Sequence, residues 1–323
     1  MVKNDTISII IPCYNEENAI NLFYYEFFAS VASLNDIVDF ELIFVDDGSS
    51  DLTLQKIREL SHKDNRVRYI SFSKNFGKES AMYAGLKSAL GNYIAIMDVD
   101  LQDPPELIKD MYYVLKHENY DCIAAKRGDR IGEPKLRSLL SDIFYKIINA
   151  ISDTEFVSGA RDYRLMTRAM VDSILELKEY NRFSKGIFSW VGYKTKWISY
   201  ENVQRSVGET KWNMCKLISY SLDGIIAFST KPLAISSFLG IISIMLASIL
   251  IIAIIVKTLI FGDPVAGYPS LVCIILMLSG LILFSIGIIG QYLSRIYLEV
   301  KHRPVYIIKE SNTYTSENTH SDK

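Results

Sequence analysis

Tyr93-Ile94-Ala95-Ile96-Met97-Asp98-Val99-Asp100-Leu101-Gln102-Asp103-Pro104-Pro105 runs from an apolar stretch into three carboxylates and an amide, then into two prolines. Residues 93–98 read as a short buried strand. The proline pair opens a helix over 104–116, since proline is tolerated in a first helical turn. Carboxylates crowded into six residues at a strand end repel one another unless something positive sits among them. Hard oxygen ligands of this kind suit Mg²⁺ or Mn²⁺, which take one or two carboxylates and complete their shell with substrate phosphates. A bare DxD is common by chance, whereas DxDxQD at a strand end is far more specific. Asp103 reads differently, as a cap for the helix that Pro104 opens.

Outward from this stretch, residues 7–13, 40–46, 67–72 and 121–125 also read as strands. Between them, residues 17–34, 51–62 and 77–90 carry helical spacing, the last with Ala81, Ala84, Gly85 and Ala89 as a small-residue face. Strands alternating with helices imply an α/β domain with a mostly parallel sheet covered on both faces. Ligands bind such sheets at the carboxyl ends of the strands. A second acidic cluster, Asp46-Asp47-Gly48-Ser49-Ser50-Asp51, stands at one of those ends. Turn and N-cap chemistry explains it as readily as a binding role does.

Past residue 130 the pattern changes. Residues 138–151 and 211–228 each place an apolar stripe opposite polar positions, which suits a surface helix packed on the sheet or a helix lying in a membrane interface. The second reading is preferred for 211–228 because two long apolar runs come directly after it in the chain. Residues 232–256 and 264–294 carry no charge, and about 20 apolar residues suffice for a helix to cross a hydrocarbon core. Two transmembrane helices are expected, at about 232–260 and 269–293, with a break around Gly262-Asp263-Pro264. Lys211, Lys216 and Lys231 precede the pair, Arg295, Lys301 and Arg303 come after it, and the connecting turn holds no basic residue. By the positive-inside rule both termini are cytoplasmic and the hairpin tip lies outside. Residues 302–310 can return as a strand to the first domain, and 311–323 read as a disordered tail.

Composition narrows the classes. A net charge of −2 gives no basic field for nucleic acid. The four cysteines, Cys13, Cys122, Cys215 and Cys273, form no CxxC pair and read as free thiols in a reducing compartment. None of the four histidines falls in these motifs, which argues against a histidine-centred triad. The stretch before Ile7 is too short and polar for a signal peptide. No GxGxxG follows the first strand, which excludes a dinucleotide-binding oxidoreductase.

The motifs taken in order resemble a known family. Ile9-Ile10-Ile11-Pro12-Cys13-Tyr14-Asn15-Glu16-Glu17, Val45-Asp46-Asp47-Gly48-Ser49, Lys74-Asn75-Phe76-Gly77-Lys78-Glu79 and the DxDxQD run are similar to those of family-2 glycosyltransferases of the GT-A fold. Asp162-Tyr163-Arg164-Leu165-Met166, Arg205-Ser206-Val207-Gly208-Glu209-Thr210-Lys211-Trp212 and the two spans narrow the resemblance to polyprenyl-phosphate glycosyltransferases, the group of the bactoprenol glucosyltransferases and dolichyl-phosphate mannose synthases. It implies that Pro12, Tyr14, Asn15, Glu16 and Asp46 cup the nucleoside and that Asp98 faces the nucleotide. Asp100 and Gln102, with Asp98, hold Mg²⁺ or Mn²⁺ on the diphosphate. Lys78, Arg205 and Lys211 approach the phosphates, the last two on a glycine-containing loop that can also be read as a solvated linker or as a lid. Arg127, Arg137 and Ser141 contact the acceptor phosphate, and Asp162 is the family's proposed base. Arg130 reads as a solvated neighbour. Arg161 stands where small residues are common.

The expected architecture is a cytoplasmic GT-A domain over 1–210, an interface helix over 211–231, the two spans within 232–294, a return segment over 295–310 and the tail. The expected reaction is inverting transfer of a hexosyl group from a nucleotide-sugar to polyprenyl (undecaprenyl) phosphate at the cytoplasmic face of the inner membrane, by an integral, homo-oligomeric protein. UDP-glucose is the first donor expected, ahead of UDP-N-acetylglucosamine, UDP-galactose, GDP-mannose and a modified pentose donor. A processive polysaccharide synthase would carry a Gln-x-x-Arg-Trp signature and more spans, and this chain has neither. The intact Asp98, Asp100 and Gln102 set argues against a non-catalytic scaffold.

Overall fold

A computed structural model describes residues 5–128, 145–146, 148–150, 152, 154, 156–157, 159–200, 224–261 and 267–313. Four strands come first: β1 (Asp5–Cys13), β2 (Val38–Asp46), β3 (Val67–Phe72) and β4 (Tyr93–Ile96). The helices α1 (Ile20–Ser30), α2 (Thr53–Lys63) and α3 (Lys78–Ser88) join them, and α4 (Leu107–His117) comes after β4. Then come β5 (Cys122–Arg127), β6 (Ala160–Thr167), α5 (Arg168–Glu176), α6 (Ser184–Trp190) and β7 (Thr195–Tyr200). Two long helices, α7 (Lys231–Phe261) and α8 (Tyr268–Val300), precede a last strand, β8 (Ile308–Ser311).

The strands form one eight-stranded sheet in the order β7-β5-β6-β4-β1-β2-β3-β8. β1 pairs in parallel with β2 and β4, as β2 does with β3 and β5 with β7. β6 runs antiparallel between β4 and β5, and β8 antiparallel on β3. Continuous apolar runs in β1 and β2 follow from burial on both faces. Ile7, Ile9 and Ile11 meet Phe23 and Phe27 of α1, Ile57 of α2 and Met111 of α4 on one face. Ile10, Ile43 and Ile96 meet Ala81 and Ala84 of α3, Met170 of α5 and Phe188 of α6 on the other. The small face of α3 is what allows that contact, since a Cβ at Gly85 would lie 2.2 Å from Ile10 Cγ2.

Several boundaries differ from the sequence expectation. The helix expected over 17–34 is α1 plus a 3₁₀ turn, Ala32–Leu34. It starts late because the backbone amides of Asn15, Glu16 and Glu17 bond side chains of the 49–53 turn instead. The expected strand over 93–98 pairs only to Ile96, although Met97 N still bonds Ile10 O at 2.9 Å, so Asp98 starts a loop. β6 and β7 carry no apolar alternation to find: the first holds Arg161, Asp162 and Arg164, and the second is half-exposed at the sheet edge.

The two long helices present apolar side chains outward, among them Phe238, Ile244, Leu259, Leu283 and Val300. Both are long and apolar enough to cross a membrane. α8 continues past the span expected at 269–293, and its last turn reaches the sheet domain. Glu299 Oε1 accepts the Tyr180 amide at 2.8 Å, and the Tyr292 hydroxyl bonds Ser229 O at 2.5 Å. The return segment then closes the far edge: Tyr306 stacks on Phe72 at 5.0 Å and Arg58 pairs with Glu310. The start of the expected tail is therefore ordered here. Ser311 belongs to β8, and Asn312 Oδ1 accepts the Tyr69 amide at 2.6 Å. Residues 145–146, 148–150 and 224–228 are helical, and most of the two expected interface helices lies outside the described residues.

Candidate functional site

The carboxyl ends of β1, β2 and β4 build the site, and their loops brace one another before any ligand is considered. Asn15 sits at φ 53°, in the left-handed region that asparagine tolerates better than most side chains. Its amide donates to Ser49 Oγ at 2.9 Å, and its Oδ1 accepts the Ser50 amide at 2.9 Å. Glu16 donates its amide to Thr53 Oγ1 at 2.8 Å. Tyr14 stays 40% exposed, and Pro12 lies in register with Val45. The sequence-expected nucleoside group thus gathers around the first and second strand ends.

Asp46 and Asp47 face inward. Asp46, 1% exposed, accepts the Ser71 hydroxyl at 2.8 Å and the Ser49 amide at 3.1 Å. Asp47 takes the Phe76 and Gly77 amides at 2.6 and 2.9 Å, and burial pushes its carboxyl up to about 6 despite those donors. Gly48, at φ 69°, is required by contact as well as conformation: a Cβ there would lie 2.4 Å from the Lys74 carbonyl carbon. The loop before α3 is therefore held in place by the loop after β2.

That loop delivers Lys78 to the centre. Its ammonium lies 2.6 Å from Asp98 Oδ1 and 2.7 Å from Asp162 Oδ2. The antiparallel register Ile96↔Arg164 explains the meeting, since continuing it by two residues brings Asp162 opposite Asp98. Burial acts to raise Asp162, but Lys78, Lys185 and Arg164 outweigh it and hold the carboxyl well below its usual range. Burial likewise opposes the Lys78 charge, and Asp162 and Asp98 overcome it, keeping the ammonium protonated. Glu79, next along α3, accepts the Ser184 amide at 3.0 Å and the Ser184 hydroxyl. Burial, with Asp162 nearby, pushes it up to about 7.

Asp98 and Asp100 are carboxylates and Gln102 an amide, on one loop, each partly exposed. Asp100 Oδ1 accepts the Gln102 backbone N–H at 3.2 Å, and the Gln102 side-chain Oε1 accepts from Arg161 Nη2 at 3.1 Å. Hard oxygen donors in this number fit Mg²⁺ or Mn²⁺. Among the described residues no group of three His, Cys, Asp or Glu side chains is placed to hold a metal ion.

Asp103 does not cap the following helix. It is 1% exposed, it takes Arg161 Nε at 3.3 Å and the Tyr200 hydroxyl, and α4 starts from Glu106 without a side-chain cap. Arg161, Tyr200, Glu79 and Lys185 all bear on the site although sequence reasoning gave them no role. Arg161, adjacent to Asp162, and Glu79, last in the Lys74–Glu79 motif, carried a sequence signal; Tyr200 and Lys185 carried none. The Arg127 backbone ends β5 opposite Tyr200 of β7. Arg137, Ser141, Arg205 and Lys211, and the side chain of Arg127, lie outside the described residues.

In a mostly parallel α/β sheet ligands bind at the carboxyl ends of the strands, which is where these acidic loops stand. Comparison supplies the family: a family profile described as Glycosyl transferase family 2 matches residues 8–175, and the chain belongs to that family. It is a glycosyltransferase. The chain is 43% identical over 311 residues to CsbB of Bacillus subtilis (strain 168), named as a glycosyltransferase, covering 96% of this chain and 93% of that protein. It is 41% identical over 308 residues to the bactoprenol glucosyl transferase of Shigella phage SfII, covering 95% and 98%. Among solved structures, glucosyl-3-phosphoglycerate synthase from Mycobacterium tuberculosis, in complex with Mn²⁺ and UDP-glucose, aligns with a TM-score of 0.43. That alignment has 20% identity and covers 69% of this chain and 77% of that one.

Proposed function

We propose that this glycosyltransferase moves a hexosyl group from a nucleotide-sugar, UDP-glucose first among the candidates, to polyprenyl phosphate at the cytoplasmic membrane face. The observation that carries the reading is the short path between the apolar helices and the charged centre. Glu299, ending α8, bonds the 180–181 backbone, Ser184 three residues on bonds Glu79, and Lys78 beside it bridges Asp98 and Asp162. A phosphate held at the membrane surface would enter next to that bridge. The name of the phage relative, a bactoprenol glucosyl transferase, supports the same acceptor class.

In this reading α7 and α8 are the two spans, the sheet domain is cytoplasmic, and residues 211–231 lie in the interface. Asp98, Asp100 and Gln102 would hold Mg²⁺ or Mn²⁺, which when bound offsets the diphosphate charge and stabilises the departing nucleotide. Lys78, with Arg205 and Lys211, would add positive charge at the same oxygens. Pro12, Tyr14, Asn15, Glu16 and Asp46 would shape the nucleoside pocket. The acceptor phosphate, with a second pKa of about 6, is already largely anionic at neutral pH. Asp162, kept ionised, would position the Lys78 ammonium that faces the acceptor phosphate more than it removes a proton.

Labelled nucleotide-sugars incubated with membranes containing the protein and undecaprenyl phosphate test the proposal. A monoglycosylated lipid phosphate from one donor is the expected product. Transfer to a growing polysaccharide, or to no lipid from any donor, overturns it.

The acceptor site has its own prediction. Arg127→Ala and Arg137→Ala should leave nucleotide-sugar binding nearly intact and each lower transfer roughly ten- to a hundredfold, because a charged hydrogen bond is worth about 1.5–3 kcal/mol. Lysine should rescue in part, keeping charge without the guanidinium fork. Loss of donor binding with unchanged lipid affinity would reverse this division of the site, which equilibrium donor binding and lipid-dependent kinetics resolve.

Topology is checked by labelling. A cysteine introduced as Ala266→Cys should react with an impermeant thiol reagent from outside intact cells, and one introduced as Ser316→Cys should not. The opposite pattern would place the sheet domain where nucleotide-sugars are scarce.

A further inference from the structure

Arg161 and Tyr200 come from different strands and converge on one carboxylate. Arg161, the second residue of β6, places Nε 3.3 Å from Asp103 Oδ1 and Nη2 3.1 Å from Gln102 Oε1. Tyr200, the last residue of β7, donates its hydroxyl to the same Asp103 oxygen. Tyr163, one turn of the pleat along β6, donates to Pro104 O at 3.0 Å. These bonds brace the far end of a loop whose near end is fixed by β4 and whose middle residue, Leu101, sits at φ 55°. A leucine keeps a left-handed backbone only where its surroundings impose it.

We propose that Arg161, braced by Asp103 and Tyr200, is the positioning residue of the divalent-cation site, fixing the Asp98–Gln102 loop and thereby setting its affinity for the cation. This rests on the function proposed above for that loop. The guanidinium bonds two neighbouring side chains of the loop at once, which fixes the direction of the Gln102 amide oxygen as well as the position of the backbone behind it. Lysine at this place would keep the charge but lose the rigid planar fork that holds both acceptors in one fixed geometry. The positive charge of Arg161 would by itself repel a cation, but the Asp103 carboxylate, 2% exposed at its side chain, stands against it. What remains is orientation, and partners that orient metal ligands typically matter by about 10–100-fold in metal affinity.

A charge-balanced variant separates orientation from field: Arg161→Met with Asp103→Asn removes one charge of each sign. Mn²⁺ binding to the purified full-length protein in detergent, followed by the electron paramagnetic resonance signal of free Mn²⁺, should weaken by about tenfold or more in this double variant. Tyr200→Phe, which keeps the ring, should weaken it severalfold, and Arg161→Lys should fall between wild type and the double variant. The Mn²⁺ concentration for half-maximal transfer should rise by the same factors, while kcat at saturating Mn²⁺ moves far less. A lowered thermal midpoint with Mn²⁺ affinity within twofold of wild type overturns the proposal. If the double variant does not fold, unchanged Mn²⁺ affinity in Tyr200→Phe overturns it equally. Wild-type protein that binds no Mn²⁺ would remove the metal reading of the loop as well, whereas wild-type binding matched by the variants removes the positioning role alone.

Discussion

Asp100→Asn is expected to lower kcat by about 10²–10³-fold, with donor binding in the absence of metal little changed. The substitution keeps the size of the side chain and its ability to accept the Gln102 amide bond, now made at 3.2 Å. It removes one of two carboxylate charges at the mouth of the site. A bound divalent cation contributes several kcal/mol where charge develops on a leaving group, and each 1.36 kcal/mol is about tenfold in rate. Asp103→Asn should do much less to kcat, because Asp103 points away into the contact with Arg161 and Tyr200. Excess chelator should abolish wild-type transfer. Full activity in chelator would show that the loop does not act through a metal, and equal losses of kcat at Asp100 and Asp103 at saturating metal would remove the distinction between the two carboxylates.

Lys78→Met is expected to cost about a hundredfold in kcat/KM, and the pH profile should report why. The ammonium holds Asp98 and Asp162 at 2.6 and 2.7 Å, so its removal leaves two carboxylates facing each other with no cation between them. In the wild type Asp162 is held below, and Lys78 above, its ordinary value. The stability that Asp162 contributes is therefore present above its unfolded value of about 3.9 and lost as pH falls through the lower folded value. The Lys78 contribution is complete below about 10.4 and lost as pH rises through the higher folded value. Between roughly pH 4 and 10 the pair should add no pH dependence. Without Lys78, burial and the Asp98 charge push Asp162 upward against Lys185 and Arg164 alone. The acid limb of kcat/KM should then move up by about one unit or more. Lys78→Arg should preserve the limb. A methionine variant with wild-type rate and profile would mean that the bridge has no part in turnover.

The strand–helix alternation of the first half was legible because covered parallel strands are apolar throughout and their helices carry one apolar face. The acidic loops were legible because carboxylates at strand ends are conspicuous, and the two apolar helices because a charge-free run of that length has few other uses. β6 and β7 were not. Their charged and polar residues are satisfied by partners distant in sequence, as Arg164 is by the Phe188 ring at 3.7 Å and Arg161 by Asp103 and Gln102 at 3.3 and 3.1 Å. Local composition cannot announce a strand whose burial is decided elsewhere.

The sequence by itself determined the sheet class, the acidic loops at the strand ends, the family and the two apolar helices, since each is written in local periodicity or in contiguous motifs. Only the tertiary structure decided which of those acids face the centre. Asp46 turns to Ser71, Asp47 to the Phe76 and Gly77 amides, and Asp103 to Arg161 and Tyr200, so three of the conspicuous carboxylates hold loops together. Asp98 and Asp162, 64 positions apart, meet across an antiparallel strand pair at Lys78. The physical reason is that a carboxylate's role depends on what surrounds it: buried ones must take donors from whatever element packs against them, and those partners come from register and crossover, which no short stretch of sequence contains.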